Sequence, residues 1–480
     1  MRTMTLHPIA VTLCAAALLA GCTSLAPRHE RPAAPVPEHW PAASSPAAVA
    51  ASGTPAADLA WSAFFADDRL RALIDLALAN NRDLRVATLN IDRARALYQI
   101  QRSATLPGVA AVGSGSSQRV PEDLSATGRA TVSRSVSATV GIASYELDLF
   151  GRVRSLNEQA LQQFFATEET RRATQISLVA ELAGAWLTLA TDLERLQLAQ
   201  QTLEAQSRSY ALVKRSNELG VASALDLRQA QVTLETARAD AARISAVVAQ
   251  DRNALALLAG AAVPAALEPA APLPEGVAQV AELPAGVPSE VLLRRPDVRA
   301  AERQLQAANA SIGAARAAFF PRIALTGSVG SASRELDGLF SGGSRTWAFA
   351  PQITLPIFTG GANRANLEAA RVDREIALAR YEKSIQVAFR EVADALAARA
   401  TLAEQFAAQR ALVDALSQTQ QLAQARFERG IDSYLPVLDA QRQLYAAQQS
   451  LVTLRLARDA NLVTLYKTLG GGAADADRSR

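Results

Sequence analysis

Chemistry that depends on imidazole, thiol or thioether is confined to the first 39 of the 480 residues. The three histidines are His7, His29 and His39, the two cysteines are Cys14 and Cys22, and the two methionines are Met1 and Met4. The body of the chain therefore lacks the groups for histidine general acid–base work, for Ser–His or Cys nucleophiles, for disulfides, and for zinc, copper or iron–sulfur ligation. No metal site, catalytic residue or bound cofactor is expected, and no clustered acidic motif marks a carboxylate-dependent hydrolase. The balance of 49 Lys plus Arg against 46 Asp plus Glu gives a net charge of +3 with the signs interspersed, so no basic patch points to nucleic acid. What remains is carboxylate–arginine pairing on one side and a thiol at the amino terminus on the other.

The thiol belongs to an address. Residues 1–21 combine an early Arg2, an apolar run from Ile9 to Ala20 and small residues before Cys22, the layout of a secretory signal too short to span a bilayer. Leu19-Ala20-Gly21-Cys22 resembles the bacterial lipobox, whose cysteine is lipidated and becomes the first mature residue. Acyl chains on Cys22 supply an anchor rather than a span, and Thr23 in place of an aspartate suits outer membrane delivery. The following stretch, residues 22–59, holds seven prolines between Pro27 and Pro55 among Ala, Ser and Gly. It has too few large apolar groups for a core and is expected to run extended along another surface.

The elements that must position any charged pair repeat along the chain. Asn81-Arg82-Asp83-Leu84-Arg85 parallels Arg295-Pro296-Asp297-Val298-Arg299, and Pro107, Gly113 and Ser117 recur as Pro321, Gly327 and Ser331, all at an offset of 214. Gly220, Ser223 and Leu225 recur as Gly430, Ser433 and Leu435 at an offset of 210. Such an ordered series marks a tandem duplication: repeats at 60–260 and 289–470, joined by a linker at 261–288 with six prolines, and followed by a short tail at 471–480.

Each repeat has one internal order. A helix comes first, its stripe running through Leu70, Leu73, Ile74, Ala77, Leu78, Leu84, Ala87, Ile91 and Ala94 to a stop at Pro107. Two alternating segments follow. Val132, Val136, Ala138, Val140 and Ile142 alternate with Ser133, Ser135, Ser137 and Thr139, and in the second copy Phe349, Ile353, Leu355 and Ile357 oppose Ala348, Gln352 and Thr354. No proline then occurs from Gly151 to Gly220, or from Gly361 to Gly430. Those windows predict helices of some 67 residues, roughly 100 Å long at 1.5 Å per residue, which need partners along their whole extent. Gly220 and Gly430 sit where C-terminal caps are expected, and return helices of roughly 38 residues follow.

Half-apolar strands of about 10 to 13 residues suit a membrane barrel, where roughly 9 to 11 suffice. Four strands cannot close one, so several chains must contribute, giving 8, 12 or 16 strands for two, three or four copies. The spacing does not choose among them. Phe319, Phe320, Trp347 and Phe349 suit an interfacial girdle.

The lipobox, the Phe150-Gly151-Arg152 turn, the run Arg294-Arg295-Pro296-Asp297-Val298-Arg299-Ala300-Ala301-Glu302, and Gly430-Ile431-Asp432-Ser433-Tyr434-Leu435 with Leu438-Asp439-Ala440-Gln441-Arg442 together resemble the TolC-like outer membrane efflux family, in its OprM-like lipoprotein branch. The resemblance runs from Cys22 to about Gly470. It implies an α+β membrane protein: a homotrimer with a 12-stranded transmembrane β-barrel continued by a long α-helical barrel across the periplasm. It also implies the work of a passive exit duct for drugs or other small molecules. A periplasmic adaptor joins such ducts to an inner-membrane transporter, often of the resistance–nodulation–division type, and the lipid on Cys22 is the one covalent addition. Position by position, the resemblance makes Leu435 an apolar constriction and Asp439 and Arg442 the polar pair of a periplasmic gate. Leu225 and Asp226 are the weaker counterparts from the first repeat. Gly220, Ser223, Gly430 and Ser433 mark the tips that meet the adaptor. Two other readings stay open: an exit for type I protein secretion, and a lipid-anchored coiled-coil spacer without a pore.

Overall fold

The computed structural model describes residues 24–40, 59–272 and 289–472. The signal peptide, Cys22 and the tail from residue 473 lie outside the described residues. In chain order the elements are α1 (Trp61–Phe64), α2 (Asp68–Asn80), α3 (Arg82–Ser103), β1 (Val109–Val120), β2 (Thr131–Leu147), α4 (Arg152–Glu218), α5 (Ala224–Ala259), α6 (Pro296–Ala317), β3 (Arg322–Ser333), β4 (Arg345–Thr354), α7 (Ala362–Glu428) and α8 (Leu435–Thr468). Helices α4 and α7 each run 67 residues without a break. Contacts divide the chain into two compact units, one of Met1–Ala33, Asn90–Glu168 and Ala300–Tyr381, the other of Ala34–Leu89, Glu169–Arg299 and Glu382–Arg480. Each unit draws on both sequence repeats.

The first unit contains the sheet. Its strands pair antiparallel in the order β1-β2-β3-β4, so β1 and β4 are open edges. One face carries Ala111, Val140, Val329 and Trp347 in a single row, and Ile142, Gly327 and Phe349 in the next. The other face is small and polar, with hydroxyl pairs Ser114–Ser137 at 2.7 Å and Ser116–Ser135 at 2.9 Å. A bulge between Ile142 and Tyr145 returns Tyr145 and Leu147 to the apolar face, where they oppose Leu325 and Ile323. Strand β4 ends at Thr354, short of the Leu355 and Ile357 expected in it, because Pro356 has no N–H to continue a ladder. At the helix end of the sheet Arg152 and Arg322 both bond Glu146, at 2.7 and 2.6 Å, and Phe150 stacks on Phe320.

Residues 25–31 of the proline-rich segment are extended and lie on α6 of their own chain. The Leu25 carbonyl accepts from Arg316 Nη1 at 2.9 Å, Ala26 backs onto Gly313, and Arg31 grips Glu302 bidentately at 2.8 and 3.0 Å. Burial raises the Glu302 carboxyl, and the opposing pull of Arg31 and His29 brings it out below the usual carboxylate range.

The second unit is helical, and its core gathers Phe64, Leu70, Ile74, Leu182, Trp186, Leu189, Leu255 and Tyr466. One stretch of α4 is long and apolar enough to cross a membrane by composition alone. Leu182, Trp186 and Leu189 in that helix are fully buried, so core packing accounts for its apolarity. The single first helix expected from the stripe Leu70 to Ala94 is two helices. Asn81 breaks it with an extended backbone, accepts from the Leu84 N–H at 2.8 Å as a cap, and donates to the Leu258 carbonyl at 2.9 Å. The return helices α5 and α8 hold 36 and 34 residues, slightly under expectation because Ser223 and Tyr434 set their starts.

Between α4 and α5 two carboxyl groups meet. Asp192 is buried and accepts from Arg195 Nη1 at 3.1 Å, while Asp251 Oδ2 is buried with no hydrogen-bond donor among the described residues. Burial first, and the neighbouring Asp192 second, push the Asp251 carboxyl up to about 6. A carboxyl that holds its proton more tightly in the folded state contributes stability below its unfolded value, and loses it as pH rises through the folded one. Asp251→Asn should therefore raise the melting temperature at pH 7.5, raise it less at pH 5 and leave it unchanged at pH 3, as followed by thermal unfolding in detergent.

Candidate functional site: the two helical turns

The charged residues singled out by sequence lie at two turns of the second unit, α4 to α5 and α7 to α8. Both long helices end in the same way. Gly220 has φ +75° and Gly430 has φ +70°. In each, the glycine N–H reaches back three residues, to Asn217 at 2.9 Å or Phe427 at 2.8 Å. The next N–H reaches back five, from Val221 to Ser216 and from Ile431 to Arg426. This is the Schellman arrangement, which satisfies the last carbonyls of a helix and needs a left-handed residue at its pivot. A Cβ at either glycine would meet nothing within 4 Å, so the requirement is conformational and not steric.

The two turns restart their helices differently. Ser223 caps α5 in a reciprocal box: its hydroxyl accepts from the Asp226 N–H at 3.1 Å, and the Asp226 carboxylate accepts from the Ser223 N–H at 3.1 Å and its hydroxyl at 2.6 Å. Asp226 thus serves the cap. In the second turn the matching position is Pro436, which has no carboxylate, and the start of α8 carries no side-chain cap bond. Ser433 stands exposed there. The brace comes instead from Asp432, which receives Arg426 Nε at 2.5 Å and Nη2 at 2.9 Å. The hydrogen bonds from Arg426 hold the Asp432 carboxyl below its ordinary range. Sequence reasoning quoted Asp432 within a motif but missed this role, because Arg426 lies six residues upstream on another helix.

Beneath the turns Val213, Ala230, Tyr434, Val437 and Leu438 form a small buried cluster, with Phe427 packed against Tyr434 at a ring separation of 5.1 Å. The Tyr434 hydroxyl bonds Ser209. Positions 434, 437 and 438 are the inward stripe of α8, whereas 435, 439 and 442, spaced by four and three, form a separate stripe about a third of a turn round the helix. Leu435 is 51% exposed and Leu225 66%. The Asp439 and Arg442 side chains are 53% and 75% exposed, and their closest approach is 3.7 Å, an ion pair too long for a hydrogen bond. The structure therefore brings Leu435, Asp439 and Arg442 onto one face and gives them little to hold within the chain. Behind Arg442 opens a cleft of about 700 Å³, lined among others by Gln206, Asp240, Arg243 and Tyr445. Tyr445 donates to Asp240 there, and burial pushes the phenol up to about 12.

A profile of the outer membrane efflux protein family matches residues 73–261 and 287–471. The chain belongs to this family. It is 50% identical over 470 residues to the antibiotic efflux pump outer membrane protein ArpC and to the toluene efflux pump outer membrane protein TtgC, both of Pseudomonas putida. Each comparison covers 98% of this chain and 96% of the relative. In structure it is similar to the open state of the MtrE outer membrane channel of Neisseria gonorrhoeae, with a TM-score of 0.83 at 42% identity over 94% of this chain and 99% of that one. These relatives are efflux channel proteins rather than enzymes. The protein is an outer membrane efflux channel of the TolC-like kind, with α4, α5, α7 and α8 as its helical part and the sheet as its membrane part.

With no steric obstacle at the channel's two pivots, Gly220→Ala and Gly430→Ala should each cost only the left-handed strain of about 1 to 2 kcal/mol. Chemical denaturation of the assembled channel checks this, with folding and membrane delivery expected to persist.

Proposed function

We propose that this chain is one protomer of a homotrimeric, passive exit duct whose periplasmic end is closed by Leu435, Asp439 and Arg442. The observation that carries the proposal is the exposed stripe of these three residues, backed by the buried Tyr434, Val437 and Leu438. A partly exposed Asp–Arg pair at 3.7 Å on one helix is worth little by itself. Facing the same stripe on a neighbouring copy, Asp439 of one protomer and Arg442 of the next can bond directly, and Leu435 can meet its own copies across the axis. A ring of Asp439 carboxylates would favour cations at the constriction. Leu225 adds apolar surface from the first turn, whereas the capping box leaves Asp226 little part in closure. Gly220, Ser223, Gly430 and Ser433 shape the exposed tips on which a periplasmic adaptor would dock. Through that adaptor an inner-membrane transporter, of the resistance–nodulation–division type, would supply the energy. The named cargoes of the relatives, toluene and antibiotics, suggest small apolar or amphiphilic molecules here.

Replacing Asp439 and Arg442 together by Ala should raise single-channel conductance in planar bilayers several-fold and sensitise cells to large antibiotics. The exchanged pair Asp439→Arg with Arg442→Asp should restore closure. Unchanged conductance of stable trimers in the double alanine variant would remove the gate from these residues.

The lipid anchor on Cys22 fits the same arrangement. Leu25, three residues downstream of Cys22, is held by Arg316 at the end of α6 that leads into β3, where the membrane strands begin. Mass spectrometry of the mature protein should find an acylated amino-terminal peptide starting at Cys22, and a Cys22→Ala variant should lack it.

A further inference from the structure

The apolar face of the sheet carries its charges at one end only. From the row of Ala111, Val140, Val329 and Trp347 to that of Leu147, Ile323 and Ile353, this face has no ionisable group except the phenol of Tyr145. At the hairpin end, away from the helices, three arginines stand on it: Arg119 opposite Val132, Arg134 opposite Ser117, and Arg345 opposite Ser331. All three are exposed. At the helix end the arrangement is reversed, since Glu146 and Arg322 lie on the polar face and bond each other.

A lipid-facing arginine costs about 2 to 4 kcal/mol at the bilayer midplane and about 0 to 1 near the interface. The three positions are therefore tolerable only at headgroup depth, where guanidinium groups match phosphate bidentately. Directly below Arg345 on β4, Trp347 and Phe349 are 77% and 62% exposed, an aromatic and apolar surface suited to acyl chains. Beside Arg134 opens a cleft of about 420 Å³ whose lining also holds Ser117, Arg334, Glu335 and Leu336. A ligand that satisfies both parts has anionic phosphates above and hydrocarbon below. A soluble anion uses only the first part.

We propose that Arg119, Arg134 and Arg345 form a belt that binds the phosphates of the outer-leaflet glycolipid. The belt rests on this face of the sheet meeting lipid, with the hairpins outward.

Full-length protein is reconstituted into nanodiscs of phosphatidylcholine doped with bis-phosphorylated lipid A, with dephosphorylated lipid A, or with bis-phosphorylated lipid A and excess inorganic phosphate in the buffer. Retained lipid is read by native mass spectrometry. The wild type should retain the phosphorylated form about tenfold over the dephosphorylated one, equivalent to about 1.4 kcal/mol, and Arg119→Gln with Arg134→Gln and Arg345→Gln should abolish the preference. Equal retention of the two lipids by the wild type, or an unchanged preference in the triple variant, overturns the proposal, as does displacement of the lipid by inorganic phosphate alone. The first comparison needs no variant and so decides even where the triple variant fails to assemble. Conductance in plain phosphatidylcholine is scored separately: its absence would count against the membrane placement of the sheet, and its presence without lipid preference against the belt.

Discussion

A strand inside a bilayer cannot leave its backbone N–H and C=O groups facing hydrocarbon, because no water is present to satisfy them. The rest of this protein follows from that constraint. The described residues of one chain supply four antiparallel strands and leave β1 and β4 open, so the fold is complete only when those edges are closed by other copies. The alternation follows too. With lipid on one side and a lumen on the other, Val140, Val329 and Trp347 must share a face, and the Ser114–Ser137 and Ser116–Ser135 pairs must share the other.

The helices meet the same problem in water by different means. A 67-residue helix satisfies its own backbone except at its ends, where the last carbonyls need partners. The turns at Gly220 and Gly430 provide these partners through left-handed pivots. Each turn then places the first residues of a return helix, and at the second turn the buried Tyr434, Val437 and Leu438 decide which side chains are left facing outward. Leu435, Asp439 and Arg442, which we propose as the gate, thus owe their position to the packing behind them. Their own mutual contact, 3.7 Å between Asp439 and Arg442, fixes nothing.

Internal duplication makes the departures from symmetry informative. The same turn appears twice with the same glycine and serine, yet Asp226 closes a capping box where its counterpart Pro436 cannot. The second turn uses the Arg426–Asp432 brace instead. With Pro436 in its first turn, α8 begins at Leu435, and the stripe of Leu435, Asp439 and Arg442 is presented free of local capping duties. A similar division holds in the membrane part, where the arginines near the helices are neutralised by Glu146 while those at the hairpins face outward.

Much of this was legible in the order of residues. Period-2 alternation, proline-free windows between glycines and a repeat at offsets of 214 and 210 are local patterns, and they determined the strands, the 67-residue helices and the duplication. Local patterns also placed the turns, since a left-handed pivot favours glycine whatever surrounds it. Tertiary structure decided the rest. It split the first helix at Asn81, because a bond to the distant Leu258 carbonyl stabilises a break that the apolar stripe does not announce. It also paired Asp192 with Asp251 and Arg426 with Asp432. In each case the outcome depends on which groups from separate segments come within hydrogen-bonding range, and distance in space is not encoded in spacing along the chain.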